Sequence, residues 1–365
     1  MKISALPLSQ PTSFFLDVLR LLAAFSVFFV HVRYLWYRDS FDTRVMHLGH
    51  RAVIVFFVLS GYVIAHSTLR KALDARAYVS ARLSRLYSVL LPALLLTAVL
   101  QIVGTWLNPH FYHPYDRGYD VLRYGLVALF LQSIWFTNAA PPTDGPFWSL
   151  CYEFWYYALF GVAVMVKSVR WKIGSLLVLA LVCGVNVLLL MPNWLMGVAC
   201  YCYGRRVTMP KLWAFWGWAS LSLMALLGIL VWTDLPYAVP HRMLFQSGAF
   251  ISDATLGVLL TLSIWFFDQA FRSAKVPDWL DAWIRWLADH TFSLYLYHFP
   301  LLFFVVAVVP FDRASLPQTG VMILLVFAII LGLSVFTESK RPGWRKLFGG
   351  IWDNVASRLP ASRAA

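Results

Sequence analysis

Apolar residues run through this chain in blocks longer than the helices of a soluble domain require. They lie near residues 14–36, 46–66, 83–106, 120–137, 147–166, 173–191, 193–205, 212–232, 248–268, 289–310 and 318–336. Most approach the roughly 17–25 residues that cross a bilayer as an α-helix. The pattern predicts an all-α fold, a polytopic bundle of membrane helices. Basic residues punctuate it: Arg70, Lys71, Arg76, Arg82 and Arg85 after the second block, and Lys167, Arg170 and Lys172 after the fifth. Arg205, Arg206 and Lys211 follow the seventh, and Lys340, Arg341, Arg345 and Lys346 the last. Lysine and arginine mark cytoplasmic loops, and these clusters share one side only if one block between Trp106 and Phe147 does not cross. The block 120–137 opens with Asp120 and Arg123 and runs into "NAAPPTDGP", so it is expected to be re-entrant or interfacial. The expectation is about ten transmembrane helices plus that segment, with both termini cytoplasmic. Residues 1–365 form a single integral-membrane domain, with a cytoplasmic tail from about 338 to 365.

Composition agrees with this pattern. The 365 residues are 60% hydrophobic and 13% charged, against about 45–50% and about 25% in soluble domains, and the mean hydropathy is +0.68. The net charge of +13 fits cytoplasmic loops, and no basic and aromatic residues interleave on a soluble face, so nucleic-acid binding is not expected. Cys151, Cys183, Cys200 and Cys202 sit in apolar blocks without metal-ligand spacing and read as small buried hydrophobes. The first apolar block is too long for a typical signal sequence and carries charge, so it is expected to be retained.

Ionisable residues inside the apolar blocks are the chemical signal, because such groups face a bundle interior or a wet cavity and mark a site. In "LDVLRLLAAFSVFFVH", Arg20 and His31 are about three turns apart and share a face, roughly 16 Å apart along the axis. Asp17 stands one turn from Arg20 and can pair with it. His47, His50 and Arg51 begin the second block, and Ser60-Gly61 lies deeper, suited to a functional role or to close helix packing. A metal site of His31, His47 and His50 has only weak spacing, and no metal is expected. Arg82 and Arg85 in "RLSR" share a face at the inner boundary, as anchors or as paired forks for phosphate. In "GPFWSLCYEFWYY", Glu153 lies roughly 9 Å into the membrane, near the level of His31, with Tyr156 and Tyr157 as other partners. In "SLYLYHFP", His298 lies mid-membrane beside Ser293, Tyr295 and Pro300.

Taken in order, "LDVLRLLAAFSVFFVH", "FFVLSGY", "RLSR", "FWSLCYEFWYY" and "SLYLYHFP" resemble the acyltransferase-3 family of integral-membrane O-acyltransferases, over residues 14 to about 301. The family's Arg-x10-His pattern falls on Arg20 and His31, its Arg-x-x-Arg on Arg82 and Arg85, and its Trp-Ser-Leu-x-x-Glu on Trp148, Ser149, Leu150 and Glu153. Tyr62 and the Tyr297 before His298 depart mildly from it. The esterase-like domain that some members carry is not among these residues, which leaves acceptor handling to the membrane cavity or a partner. The resemblance implies transfer of an acyl group, most often acetyl, from cytoplasmic acyl-CoA to a hydroxyl of a carbohydrate acceptor on the extracytoplasmic side. The acceptor would be lipopolysaccharide O-antigen, exopolysaccharide or a lipid-linked glycan, and the setting a bacterial inner membrane. Acetyl-CoA would be a donor substrate, with no cofactor bound permanently.

The expected catalytic set is His31, Glu153, Arg20 and Asp17, with His31 supported by Glu153 and acting as a base or as a transient acyl carrier. Arg82, Arg85 and Arg20 are expected to hold acyl-CoA. His50, Ser60, Trp148, Tyr156, Tyr295 and His298 are expected to support the site or line the acceptor side. The rival from another class is a secondary transporter with a His/Glu proton relay. It calls for inverted repeats and matched helix breaks, which are not evident, and gives no role to the Arg82/Arg85 pair.

Overall fold

A computed structural model describes residues 8–37, 43–204, 206–231 and 244–358; Arg205, counted above among the basic clusters, lies outside them. Among the described residues there are helices, turns and no strands. The long helices are α1 (Gln10–Trp36), α2 (Thr43–Arg70) and α3 (Ala75–Leu107). The short α4 (Pro109–Tyr112) and α5 (Asp120–Ala128) lead to α6 (Trp148–Met165), α7 (Val169–Tyr203), α8 (Lys211–Val231) and α9 (Phe250–Phe271). The last four are α10 (Asp278–Asp289), α11 (Thr291–Val308), α12 (Leu316–Ser339) and α13 (Arg341–Arg358).

Eight of these helices are long and apolar enough to cross a membrane, against the ten expected, and the difference has two causes. Blocks 173–191 and 193–205 lie on α7, and the break falls inside the first block, at Gly184. The 18 residues of α6 include Glu153 and five tyrosines and tryptophans in its first three turns, which lower its hydropathy below that of the eight. The block 120–137 does not cross as a helix. Nine residues of α5 rise only about 13 Å, after which Phe130 takes a left-handed conformation and the chain folds back.

That returning loop is built into the break in α7. Gly184 has φ +79°, and a Cβ there would lie 2.7 Å from the Trp135 ring and backbone, so glycine alone fits. Trp135 donates its backbone N–H to the Cys183 carbonyl (3.2 Å) and its indole N–H to Leu181 (2.8 Å). Asn186 returns a hydrogen bond to the Trp135 carbonyl (2.5 Å). The Leu181 and Cys183 carbonyls at the break thereby find partners in the loop, as irregular backbone within a membrane requires.

The centre of the bundle is α11, whose most apolar window is 83% buried, followed by α2 at 67%; α8 at 17% and α12 at 22% are peripheral. The outer faces carry Leu95, Ile102, Leu177, Leu181, Leu223 and Leu324, all exposed, as a surface solvated by acyl chains should be. Helices α2 and α7 cross where Gly61 meets the Trp194 carbonyl and Gly197 meets the Val58 carbonyl, with no room for a Cβ at either. Two helices flank the bundle. The amphipathic α10 exposes Trp279, Trp283 and Trp286 opposite an Asp281–Arg285 pair, the composition of an interfacial helix. Within the expected tail, α13 docks on α3 through a two-pronged Arg76–Asp353 pair (2.7 Å each) and a Tyr87–Phe348 ring contact. Arg76 holds the Asp353 carboxyl below its ordinary range.

Candidate active site

A narrow pocket opens between α1, α2, α3, α6 and α11. Its apolar wall comes from residues such as Val53, Phe56, Phe57 and Phe292, and its polar groups are few and concentrated. Arg20 enters from α1 and Arg85 from α3; Ser60 enters from α2, Ser149, Glu153 and Tyr157 from α6, and Tyr295 from α11.

The cationic end follows from local sequence. Asp74 caps α3 by accepting from the Ala77 N–H (2.7 Å), which sets the helix phase so that Arg82 and Arg85, three residues apart, point one way. Their tasks differ. Arg82 donates to Ser67 Oγ (2.8 Å) and lies over the rings of Tyr78 and Tyr157. Arg85 lies over Phe292 in the cavity wall, and its Nε is buried without a hydrogen-bond partner among the described residues. Arg20 pairs with Asp17 (3.3 Å), as the spacing on α1 predicts. Arg341, just beyond the last span, has its pKa pushed down by burial and by the nearby Arg85 and Arg82 guanidiniums. Four arginines therefore crowd one end of the cavity, and buried guanidiniums with open donors suit a multiply charged anion.

Glu153 stands opposite. Its carboxylate accepts from Ser60 Oγ (3.0 Å) and from the Tyr157 hydroxyl one turn along. Ser60 in turn accepts from the Trp194 indole (3.2 Å). This corrects the expected Glu153–His31 contact. His31 Nδ1 lies 2.9 Å from His298 Nε2 instead. The reason is packing: the outer half of α1 runs beside α11, whereas α6 packs against α7 and α3. Equal depth along two helices does not bring their side chains together.

The histidine pair is walled by aromatic rings. Phe299 meets His31 edge-on at 5.1 Å, and Phe28 and Tyr295 flank His298 at 6.2 and 6.0 Å. Tyr295 belongs to both regions. It lines the cavity, its hydroxyl donates to the Pro146 carbonyl (3.0 Å), and it therefore accepts from Ser149 (2.8 Å).

The remaining expected residues fall outside this group. Tyr156 donates to the Val187 carbonyl (2.9 Å) and does not reach Glu153. His50 is bound to Asp253 on α9 (2.9 Å) and stacks on Trp148 at 5.8 Å, forming a second buried polar pair. Among the described residues, no three His, Cys, Asp or Glu side chains gather as a metal site would need. Sequence reasoning missed Asp253 and Trp194, and it reached Ser149 only as part of the Trp-Ser-Leu-x-x-Glu pattern. An acid in the apolar run "AFISDATLG" was the available signal for Asp253; nothing local marks Trp194.

An imidazole near one end of α1 and guanidiniums near the other place two chemically different polar groups on one membrane helix. Comparison with known proteins specifies the family. The chain belongs to the acyltransferase-3 family, whose model, described as an acyltransferase domain, matches residues 13–337. It is also similar to an O-acetyl transferase of Shigella phage Sf6, 24% identical over an alignment of 276 positions that covers 69% of this chain and 73% of the phage protein. No solved structure matches the chain.

Proposed function

We propose that the protein is an O-acetyltransferase of a bacterial inner membrane, moving acetyl from acetyl-CoA to a hydroxyl of a carbohydrate acceptor. The donor's phosphates bind among Arg85, Arg20, Arg82 and Arg341 on the cytoplasmic side. The pantetheine arm passes along the cavity toward Tyr295, and His31 works at the extracytoplasmic end. The observation that carries this reading is Arg85, a cavity-wall guanidinium with a buried, unpartnered N–H and three further arginines close by. The phage relative's name supports acetyl as the group and oxygen as its destination. The basic clusters support cytoplasmic termini.

In the reaction the acceptor oxygen attacks the thioester carbonyl while its proton passes to His31. The carbon–sulfur bond then breaks, and the thiolate takes that proton to leave as CoA. An imidazole with one bare ring nitrogen can take up a proton and give it back within a turnover, which suits both transfers.

The test uses the full chain in sealed vesicles, with acetyl-labelled CoA on the face bearing Lys340–Lys346 and a membrane polysaccharide fraction on the other. Covalent label in polysaccharide is expected, and it should vanish in His31→Ala. Passage of CoA or acetate without covalent transfer would overturn the reading in favour of a transporter.

A further inference from the structure

We infer that His298 is a positioning residue that fixes the tautomer of His31 and so makes Nε2 of His31 the nitrogen that takes the acceptor's proton. The inference rests on the acetyl-transfer reading and on five atoms. His298 Nδ1 lies 2.8 Å from the Tyr295 carbonyl and 3.1 Å from the Leu294 carbonyl. Carbonyl oxygens only accept, so Nδ1 of His298 carries the hydrogen. Neither ring has a carboxylate against it among the described residues, and a charge uncompensated among aromatic side chains is costly, so both imidazoles rest neutral. A neutral imidazole has one N–H, which leaves Nε2 of His298 a bare lone pair. That lone pair faces His31 Nδ1 at 2.9 Å, so Nδ1 of His31 is the donor. Its Nε2 is then the basic nitrogen.

The backbone of α11 thus dictates, through two rings, which atom of α1 is reactive. His298 is only 1% exposed, and the flanking Phe28, Tyr295 and Phe299 rings hold it in place. During transfer His31 gains a proton on Nε2 while keeping its Nδ1–H bond to His298. The same lone pair therefore steadies the imidazolium until the proton goes to the departing thiolate.

Two substitutions separate this role from packing. A glutamine amide oxygen reaches the place of the imidazole Nε2, whereas asparagine reproduces only the Nδ1 end. Transfer from acetyl-labelled CoA to the host's membrane polysaccharide is measured with the full chain in membranes, at saturating and limiting donor. His298→Asn is expected to lose about 100-fold in maximal rate, within the span of general-base contributions, with the donor KM within about twofold of wild type. His298→Gln should retain a tenth of the wild-type rate or more. Equal rates for the two variants, or an undiminished His298→Asn, would overturn the inference. Absence of label with the wild-type chain would instead overturn the acetyl-transfer reading. Nitrogen NMR of histidine-labelled wild-type protein in lipid settles the matter even if both variants fail to fold. A hydrogen on His31 Nδ1 and none on Nε2 is expected, and the reverse refutes the proposal.

Discussion

The two halves of α1 solve opposite problems with the same helix. At Arg20 the neighbours are charged: Asp17 pairs with it, and Arg85 shares its cavity with a buried N–H unmatched. At His31, roughly three turns on, the charges are gone, and the imidazole is bonded to a second imidazole inside a cage of aromatic rings. On the proposed function the first end is completed by the donor's phosphates. On the same reading the second end already holds its ring partner and takes up only a proton. One helix carries both, so on that reading the stretch of α1 from Arg20 to His31, roughly 16 Å, sets how far the donor's phosphates lie from the proton acceptor.

The sharpest way to break that comparison is to injure each end separately. His31→Ala should cut transfer by about 10²–10⁴ and leave the affinity for CoA, measured by calorimetry in detergent, unchanged. Arg85→Ala should do the reverse. Loss of a charge-assisted bond worth about 1.5–3 kcal/mol raises the donor KM about 10- to 100-fold, with the rate at saturation largely kept. If both variants lose rate and affinity together, the two ends are one site.

A smaller effect carries an informative sign. Glu153→Gln keeps an acceptor for Ser60 and Tyr157 and removes a negative charge facing the arginines. Donor affinity should therefore rise a few-fold in a CoA titration, and a fall would mean that the carboxylate itself touches the donor. The smallest effect belongs to the edge of the molecule. Asp353→Asn removes the two-pronged bond to Arg76 and should loosen α13, seen as faster hydrogen exchange there with transfer unchanged. Because Arg76 holds the Asp353 carboxyl below its ordinary range, this tie is present above the unfolded carboxylate pKa and is lost as pH falls through the lowered one. The same exchange should accordingly appear in wild-type protein under acid.

The helices of this bundle are legible in its apolar blocks, and so are Arg20 and His31 on one face of α1 and the Asp17–Arg20 pair, because each depends on spacing within one helix. What spacing cannot supply is rotation between helices. Counting residues puts Glu153 and His31 at similar depth, yet which way α6 turns is decided by its packing against α7 and α3, and the carboxylate ends on Ser60. The break at Gly184 is hidden for a related reason. The residue that needs it, Trp135, is almost fifty positions earlier, and Pro192 draws attention to the wrong place. His298 was visible as a polar residue in an apolar run, but its partner was not, since the contact spans 267 positions.

The tryptophan set into the broken helix ties two elements to one another. The carbonyls of Leu181 and Cys183 are satisfied by Trp135, and each would cost several kcal/mol if left bare in hydrocarbon. The first arm of α7 is therefore a poor passenger in lipid by itself. Its partner, Trp135, precedes it in the chain, so the returning loop and the broken helix complete each other, and neither keeps its irregular backbone satisfied in lipid without the other.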